Sequence, residues 1–374
     1  MSKTETRDFQ RSDIPALMTL IRANGFPNRS VEGWTWALFD NPEQGDAAPG
    51  LISLKDGEIC AFVGVQIRQY SGKAGLKRVA MGHTLMSSES GRGQGLLLAR
   101  RVIKYRGVDA MQTNSSNPKS APLLTRMGVT PAHPDEGRQY VDWIVRPGLH
   151  FLGRVMNFLA RSERVYRAFT RVEMFGRKPK PADQVVRDAN IKRLDFRDEA
   201  DCAAFDRFSQ ALSSANVDVI LPVRSANVYA WRLADPDLPR RTEMLAYFND
   251  GRILAVIATT LTKPNAHEPW VSYVTDFASL PDEAGADVQA GLINEARRQT
   301  RLRGASLMRF KPSLQLPKAV LQMCGRHVVK TEPHDYCFVN FAAGETDMQA
   351  NFAASPYEGD LIFALRTPLP KDAD

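Results

Sequence analysis

The chain has 374 residues and few cysteines, four in all. Cys60, Cys202, Cys324 and Cys337 stand far apart, with no Cys-x-x-Cys pair and no Cys/His cluster. That spacing argues against a structural metal site and predicts buried free thiols, as expected in a reducing compartment. Long apolar runs are missing too: none reaches the roughly 18 residues that a membrane span requires. The opening MSKTETRDFQRSD is polar and carries no signal-peptide core, so a cytoplasmic location is expected. Charge is not strongly one-sided. Lys and Arg number 49 against 42 Asp and Glu, a net charge of +7. The surplus favours acidic partners, such as phosphates, anionic glycans or anionic lipid, without choosing among them. No aromatic-basic motif accompanies it, so no nucleic acid is expected as a partner.

What remains is ordinary globular material, 43% hydrophobic and 24% charged, long enough for about two domains with a core each. One stretch stands out, Met81 to Gly128. A strand-like run, Arg78 to Met86, leads through the polar Ser87 to Ser90 into Gly91-Arg92-Gly93-Gln94-Gly95. A helix-like run, Leu96 to Arg106, follows directly. A strand (Ala110 to Asn114) and a helix (Ser120 to Met127, ending at Gly128) come next. Spaced glycines let a backbone turn tightly and approach a ligand. The first turn of the next helix offers N–H groups without intrahelical partners, at the positive end of the helix dipole. Arg92 adds a full charge. Such a loop suits a pyrophosphate with no metal.

Two other phosphate loops are excluded. A P-loop requires Lys-Ser/Thr after its last glycine, and none follows Gly95. The dinucleotide fingerprint requires a third glycine where Leu96 stands. The plain alternative is a glycine-rich turn that caps a helix.

Arg92-Gly-x-Gly-Leu after a strand, then helix, strand, Asn117-x-x-Ser120 and a short helix ending in Met127-Gly128, resembles the GNAT acetyltransferase superfamily. The resemblance implies acetyl-CoA or another acyl-CoA as cosubstrate, with no metal. It implies that the backbone amides of Arg92, Gly93, Gln94, Gly95 and Leu96 hold the pyrophosphate. Asn117, with Ser120, would meet the pantetheine or phosphate portion. The backbone of Leu85 and Met86 would receive the pantetheine arm, where the fourth strand splays from the fifth. Two positions depart from the family pattern. Leu97 stands where a small residue is usual, and Leu124 stands where a proton-donating Tyr is often found.

The first segment reads as β-αα-β-β-β-α-β-α-β. Its parts are a short strand around Arg7 to Phe9, a helix Ile14 to Ala23 capped by Asp13, and a helix Val31 to Phe39 capped by Ser30. Strands Ala48 to Leu54 and Ile59 to Arg68 meet at Lys55-Asp56-Gly57, and Val141 to Val145 is the final strand. Leu149 to Phe175 is basic and amphipathic. It can lie on an anionic membrane surface; the expected arrangement is instead an interdomain helix with its apolar side on a core. A weak repeat follows. Trp231 and Asp235-Pro236 echo Trp34, Trp36 and Asp40-Asn41-Pro42, and Asn249-Asp250-Gly251 echoes the first hairpin. The second copy's loop, ASLPDEAGA, lacks the spaced glycines and carries Asp282 and Glu283, which repel phosphate. The expected fold is therefore α/β (α+β), with two tandem GNAT-like domains. Each would have a mixed, mostly antiparallel twisted sheet flanked by helices. The expected divisions are an acyl-CoA-binding domain at 1–148, a basic helix and linker at 149–183, and a degenerate domain at 184–374.

The chemistry implied is direct attack of an amine on the thioester. It needs proximity, a donor to the oxyanion and a route for the amine proton. Candidate bases are His83 on the strand and Glu89 in the loop, with Tyr140 and Asp142 weaker. Each has a plainer role, His83 as a packed strand residue and Glu89 as a helix N-terminal carboxylate. The expected acceptor is a small-molecule amine or amino sugar. A non-catalytic acyl-CoA-binding scaffold and transfer from aminoacyl-tRNA are the alternatives. The oligomeric state is not legible.

Overall fold

The computed structural model describes residues 4–24, 29–116, 121–131, 139–162, 165, 185–237, 242–263, 267–311, 316–331, 336–341 and 351–353. In chain order the first half has β1 (Thr4–Asp8), α1 (Ile14–Ala23), α2 (Val31–Phe39), β2 (Gly50–Lys55), β3 (Glu58–Gly72) and β4 (Gly75–Ser87). It continues with α3 (Gln94–Ile103), β5 (Ala110–Ser116), α4 (Ala121–Arg126), β6 (Thr130–Pro131) and β7 (Gln139–Ile144). Helix α5 (Pro147–Leu159) then leads to β8 (Ile191–Arg193), α6 (Glu199–Ala215), β9 (Leu221–Pro222) and α7 (Ala226–Leu233). Strands β10 (Thr242–Asn249), β11 (Arg252–Thr262) and β12 (Val271–Ser279) follow. The rest is α8 (Ala286–Leu302), β13 (Leu307–Phe310), α9 (Lys318–Met323), β14 (Val328–Thr331) and β15 (Tyr336–Phe341).

Local chemistry sets these elements. Asp56 and Gly57 take positive φ (53° and 89°), as do Asp250 and Gly251 (49° and 75°). Those turns match the twist of the strands they join, so both hairpins form where the sequence predicts them. Ser30 caps α2, its Oγ accepting from the Gly33 N–H at 2.9 Å. Asp13 behaves differently from expectation. Its carboxylate turns back to Arg7 (2.7 and 2.8 Å) and to the Gln10 N–H, and makes no capping bond to α1.

Two sheets result. The first runs β1-β2-β3-β4-β5-β15-β6, with β9 also paired to β3; the second runs β14-β7-β13-β12-β11-β10-β8. Each is antiparallel except at one pair, β4 with β5 and β12 with β13. The repeat read in the sequence is thus present as two mostly antiparallel sheets flanked by helices. Their last strands are exchanged. Strand β7, expected to finish the first sheet, lies between β13 and β14 of the second. Strand β15, from the end of the described chain, pairs with β5 and β6 of the first. Burial explains the exchange: Val141 and Trp143 of β7 join the large core shared with the second half, and Trp143 is fully buried. Val339 and Phe341 of β15 pack with Tyr70, Val79 and Ala110 of the first sheet. The expected boundary at 148 therefore falls in the first turn of α5, and the exchanged strands cross it.

The two halves also meet through their repeated tryptophans. The rings of Trp36 and Trp231 stack at 5.0 Å, and each indole N–H donates to the other residue's carbonyl, at 2.7 and 3.1 Å. Beside them Arg29 is wholly buried and makes a two-pronged bond to Asp235 (2.9 and 3.0 Å), with Asp237 at 3.5 Å. Helices α3 and α4 cover the other face of the first sheet, through Leu98, Val102, Ala121 and Leu124.

Helix α5 departs from expectation. Its apolar side is not on a core: Phe151, Leu152, Val155, Phe158 and Leu159 are exposed. Most of the remaining stretch to Phe175 lies outside the described residues.

Candidate active site

Strands β4 and β5 pair over three positions only, Val79, Ala80 and Met81 with Ala110, Met111 and Gln112. Beyond them both strands continue without pairing to each other, and a cleft opens between them. Just past that point β4 carries a bulge. Phe62 of β3 pairs with Met86 and Gly64 with His83, so Thr84 and Leu85 together oppose Val63 alone. Thr84 takes φ 53°, costly for a β-branched residue, and Leu85 is turned out to solvent. The extra residue breaks the regular β3–β4 register at Thr84 and Leu85.

The glycine loop lies at the end of this cleft. It is folded onto β3: the Ser88 N–H donates to the Cys60 carbonyl at 2.8 Å. A Cβ on Gly91 would fall 2.3 Å from that same carbonyl oxygen, so only glycine lets the loop lie this close. Gly93 takes φ 90° as the residue before α3. Gly95 has ordinary space around it, its nearest neighbours being Ser87 and Leu85 at 3.8 to 3.9 Å. The three glycines thus serve a close approach, a left-handed turn and an open helix start. Within the loop the Arg92 N–H donates to Glu89, Gln94 to Gly91 and Leu97 to Gly93. Among the described residues, no backbone acceptor is taken by the N–H groups of Gly93, Gly95 and Leu96. Those three amides gather at the positive end of α3. Arg92 is exposed beside them, and Gln94 is half-buried.

Other expected site residues fall as follows. Leu85 and Met86 lie at and just after the bulge. Glu89 is exposed in the loop. Asn117 and Ser120 lie outside the described residues. Leu124 is buried in the apolar core beneath α4. Tyr140 and Asp142 ride on β7 into the second sheet, where Asp142 is held by Arg309 (2.8 and 3.0 Å) and Lys330 (3.1 Å). They are therefore not beside β5, as the expected strand order required. Cys60 is buried, and burial pushes its thiol up, so it stays protonated.

His83 is buried with its ring over Gly64, where a Cβ would lie 2.1 Å from Cε1. Its Nδ1 is 3.1 Å from the Thr84 hydroxyl, so it braces the bulge. Burial, with a smaller push from Arg29, drives its pKa from 6.5 down to about 3. The ring is neutral at neutral pH and a weak base there. The unfolded chain binds a proton near pH 6.5 that the folded chain refuses, so stability is lost as pH falls below that value. Between pH 6.5 and 5 this group alone predicts a loss of about 2 kcal/mol. Denaturant titrations at both pH values check this, and His83→Asn should flatten the slope.

Sequence reasoning missed a polar hydrogen-bonded chain on β5. The Tyr70 hydroxyl donates to Gln112 Oε1 at 2.6 Å, and Gln112 in turn donates to Asn114. Alternation along β5 was the available signal, since Gln112 and Asn114 share one face. It also missed an open groove of about 1620 Å³ on the outer side of α3, lined by Leu97, Arg100, Arg101, Lys104 and Arg126. The second half has a matching bulge at Thr275, since Ala258 pairs with Asp276 and Thr259 with Val274. There Asp276 takes the place of Met86. Burial pushes its carboxyl up, but Arg224, at 2.8 and 3.0 Å, and Tyr229 outweigh it and hold the group ionised. An ion pair occupies that position.

No family model and no curated protein matches the sequence. Solved structures do. Yeast (Saccharomyces cerevisiae) N-myristoyltransferase with bound myristoyl-CoA and inhibitors superposes with TM-score 0.57 at 10% identity, over 96% of this chain and 86% of that one. A probable N-acyltransferase from Enterococcus faecalis gives 0.53 at 10%, over 93% and 74%. A GCN5-related N-acetyltransferase from Kribbella flavida gives 0.52 at 10%, over 91% and 71%. At these identities the likeness fixes the fold: the chain has the GNAT fold.

Proposed function

We propose that the first half binds an acyl-CoA and transfers its acyl group to a small amine or amino sugar. The observation that carries this reading is the cleft at the β4 bulge, ending at three backbone N–H groups with no backbone partner. In this reading the Gly93, Gly95 and Leu96 amides hold the pyrophosphate, aided by the Arg92 charge. Asn117, Ser120 and Gln94 support the neighbouring parts. The cleft edge at Leu85 and Met86 takes the pantetheine arm, and a backbone N–H there meets the developing oxyanion. Asn114, held by buried Gln112, faces this arm from β5. The acceptor amine arrives already neutral, because His83 is too weak a base to collect its proton. Once the C–N bond has formed, exposed Glu89 takes the proton that the new amide nitrogen sheds and passes it to water; the C–S bond breaks and CoA leaves as a thiolate that solvent protonates. The second half, its own cleft position closed by Asp276 and Arg224, shapes the acceptor side.

The structures of similar fold support this reading. One binds myristoyl-CoA, and two others are named as N-acyl- or N-acetyltransferases. Acetyl-CoA is the first donor to try, and longer acyl chains follow from the myristoyl example. Leu124, packed where a proton donor would stand, favours a second reading, a non-catalytic acyl-CoA-binding scaffold.

Free-thiol release from acyl-CoA, run over a panel of amines and amino sugars, separates the two. The first reading expects turnover that rises with pH as the amine deprotonates. It expects Glu89→Gln to lower kcat by less than about tenfold, below the usual range for a required general base. Tight acyl-CoA binding with no release toward any acceptor would overturn transfer and leave the scaffold. Binding of charged tRNA in place of acyl-CoA would overturn both.

A further inference from the structure

We propose that helix α5 seats the protein on an anionic lipid surface. The helix touches the rest of the molecule along one narrow side. Gly153 is its buried residue, and a Cβ there would lie 2.5 Å from Pro269 Cδ. At about 100° per residue, the direction opposite Gly153 is occupied by Phe151, Val155 and Phe158, with Leu152 and Leu159 beside them. A surface helix ordinarily turns its apolar stripe inward. This one turns it to water: Phe151 is 70% exposed and Phe158 66%.

Charge selects the occupant. Arg154 and Arg161 are exposed along one margin of the stripe, and the Arg161 guanidinium lies 5.4 Å from the Phe158 ring centroid. Between Arg146 and Ser162 the sequence has no Asp or Glu. A second copy packed on this stripe would bring arginine against arginine with no carboxylate on the helix to offset them. A phospholipid surface offers an apolar layer for the rings and phosphates for the guanidinium groups. The helix has 13 residues, so it lies along such a surface. Among the described residues no helix is long and apolar enough to cross a membrane.

The test is sedimentation of the full-length protein with phosphatidylcholine vesicles, with and without about 30% phosphatidylglycerol to supply the negative charge. The anionic vesicles should bind it at least about tenfold better, and high salt should reduce that preference. Phe151→Ser with Phe158→Ser should abolish sedimentation without lowering the melting temperature, since both rings are exposed. Arg154→Gln with Arg161→Gln should remove the preference for anionic vesicles. Wild-type protein that stays in the supernatant, or a double-serine variant that sediments equally, would overturn the proposal. A dimer in solution that the double-serine variant splits would also overturn it, assigning the stripe to a second copy.

Discussion

Ending the chain after Thr331 should abolish acyl-CoA binding at a loop more than 200 residues earlier in sequence. The truncation removes β15, which pairs with β5 from Tyr336↔Ser116 to Phe341↔Ala110 and with β6 beyond it. Strand β5 forms one wall of the cleft and would become an open edge. Val339 and Phe341 would leave Tyr70, Val79 and Ala110 without their cover. The reciprocal fragment, residues 1–148, should fare no better. It keeps β7 but lacks the core in which Trp143 is buried, and burying a large aromatic contributes about 3 kcal/mol or more. Neither fragment should give a cooperative thermal transition by circular dichroism. A folded 1–148 fragment that binds CoA would contradict the exchange of strands.

Asp235→Ala should destabilise the protein by about 3–5 kcal/mol, the usual cost of stranding a buried charge. Arg29 has no exposed surface, and Asp235 supplies its two-pronged partner at 2.9 and 3.0 Å. Asp237, at 3.5 Å, makes the weaker contact and also accepts from the Ser30 N–H, so it tempers the loss without replacing Asp235. Replacing both partners with apolar residues, Arg29→Met with Asp235→Leu, should recover most of the stability, because the desolvation of both charges disappears. The midpoint of urea unfolding reads the difference. A single variant within about 0.5 kcal/mol of wild type would deny Arg29 its role in joining the halves.

Local signals carried much of this fold into the sequence. Asp-Gly pairs marked both hairpins, apolar spacing marked α1 and α2 to the residue, and the Arg-Gly-x-Gly run marked the turn into α3. The strand exchange was not legible, because β7 and β15 are both short alternating strands that suit either sheet; only the partners of Trp143 and Phe341 decide. The bulge was hidden for a related reason. Thr84 has no glycine to advertise its positive φ, and its conformation is imposed by the register between Phe62 and Gly64. The role of His83 could not be read either. Its neutrality comes from burial over Gly64, a neighbour about 20 residues away. The direction of α5 was missed because a stripe of apolar residues carries no sign of which way it faces.

Titration calorimetry of CoA into the wild type, Gly95→Val and Gly91→Ala proteins tests the central claim most directly. Gly95 has space for a side chain without disturbing the protein, whereas a Cβ on Gly91 meets the Cys60 carbonyl at 2.3 Å. Wild-type protein should bind CoA, and adenosine 3′-phosphate 5′-diphosphate, the fragment of CoA that keeps the pyrophosphate, should compete. Gly95→Val should keep its melting temperature and lose affinity at least about a hundredfold, as expected for filling a pyrophosphate cradle. Gly91→Ala should instead lose stability. Undiminished CoA binding by a folded Gly95→Val protein would mean that the amides opening α3 are not where the diphosphate rests.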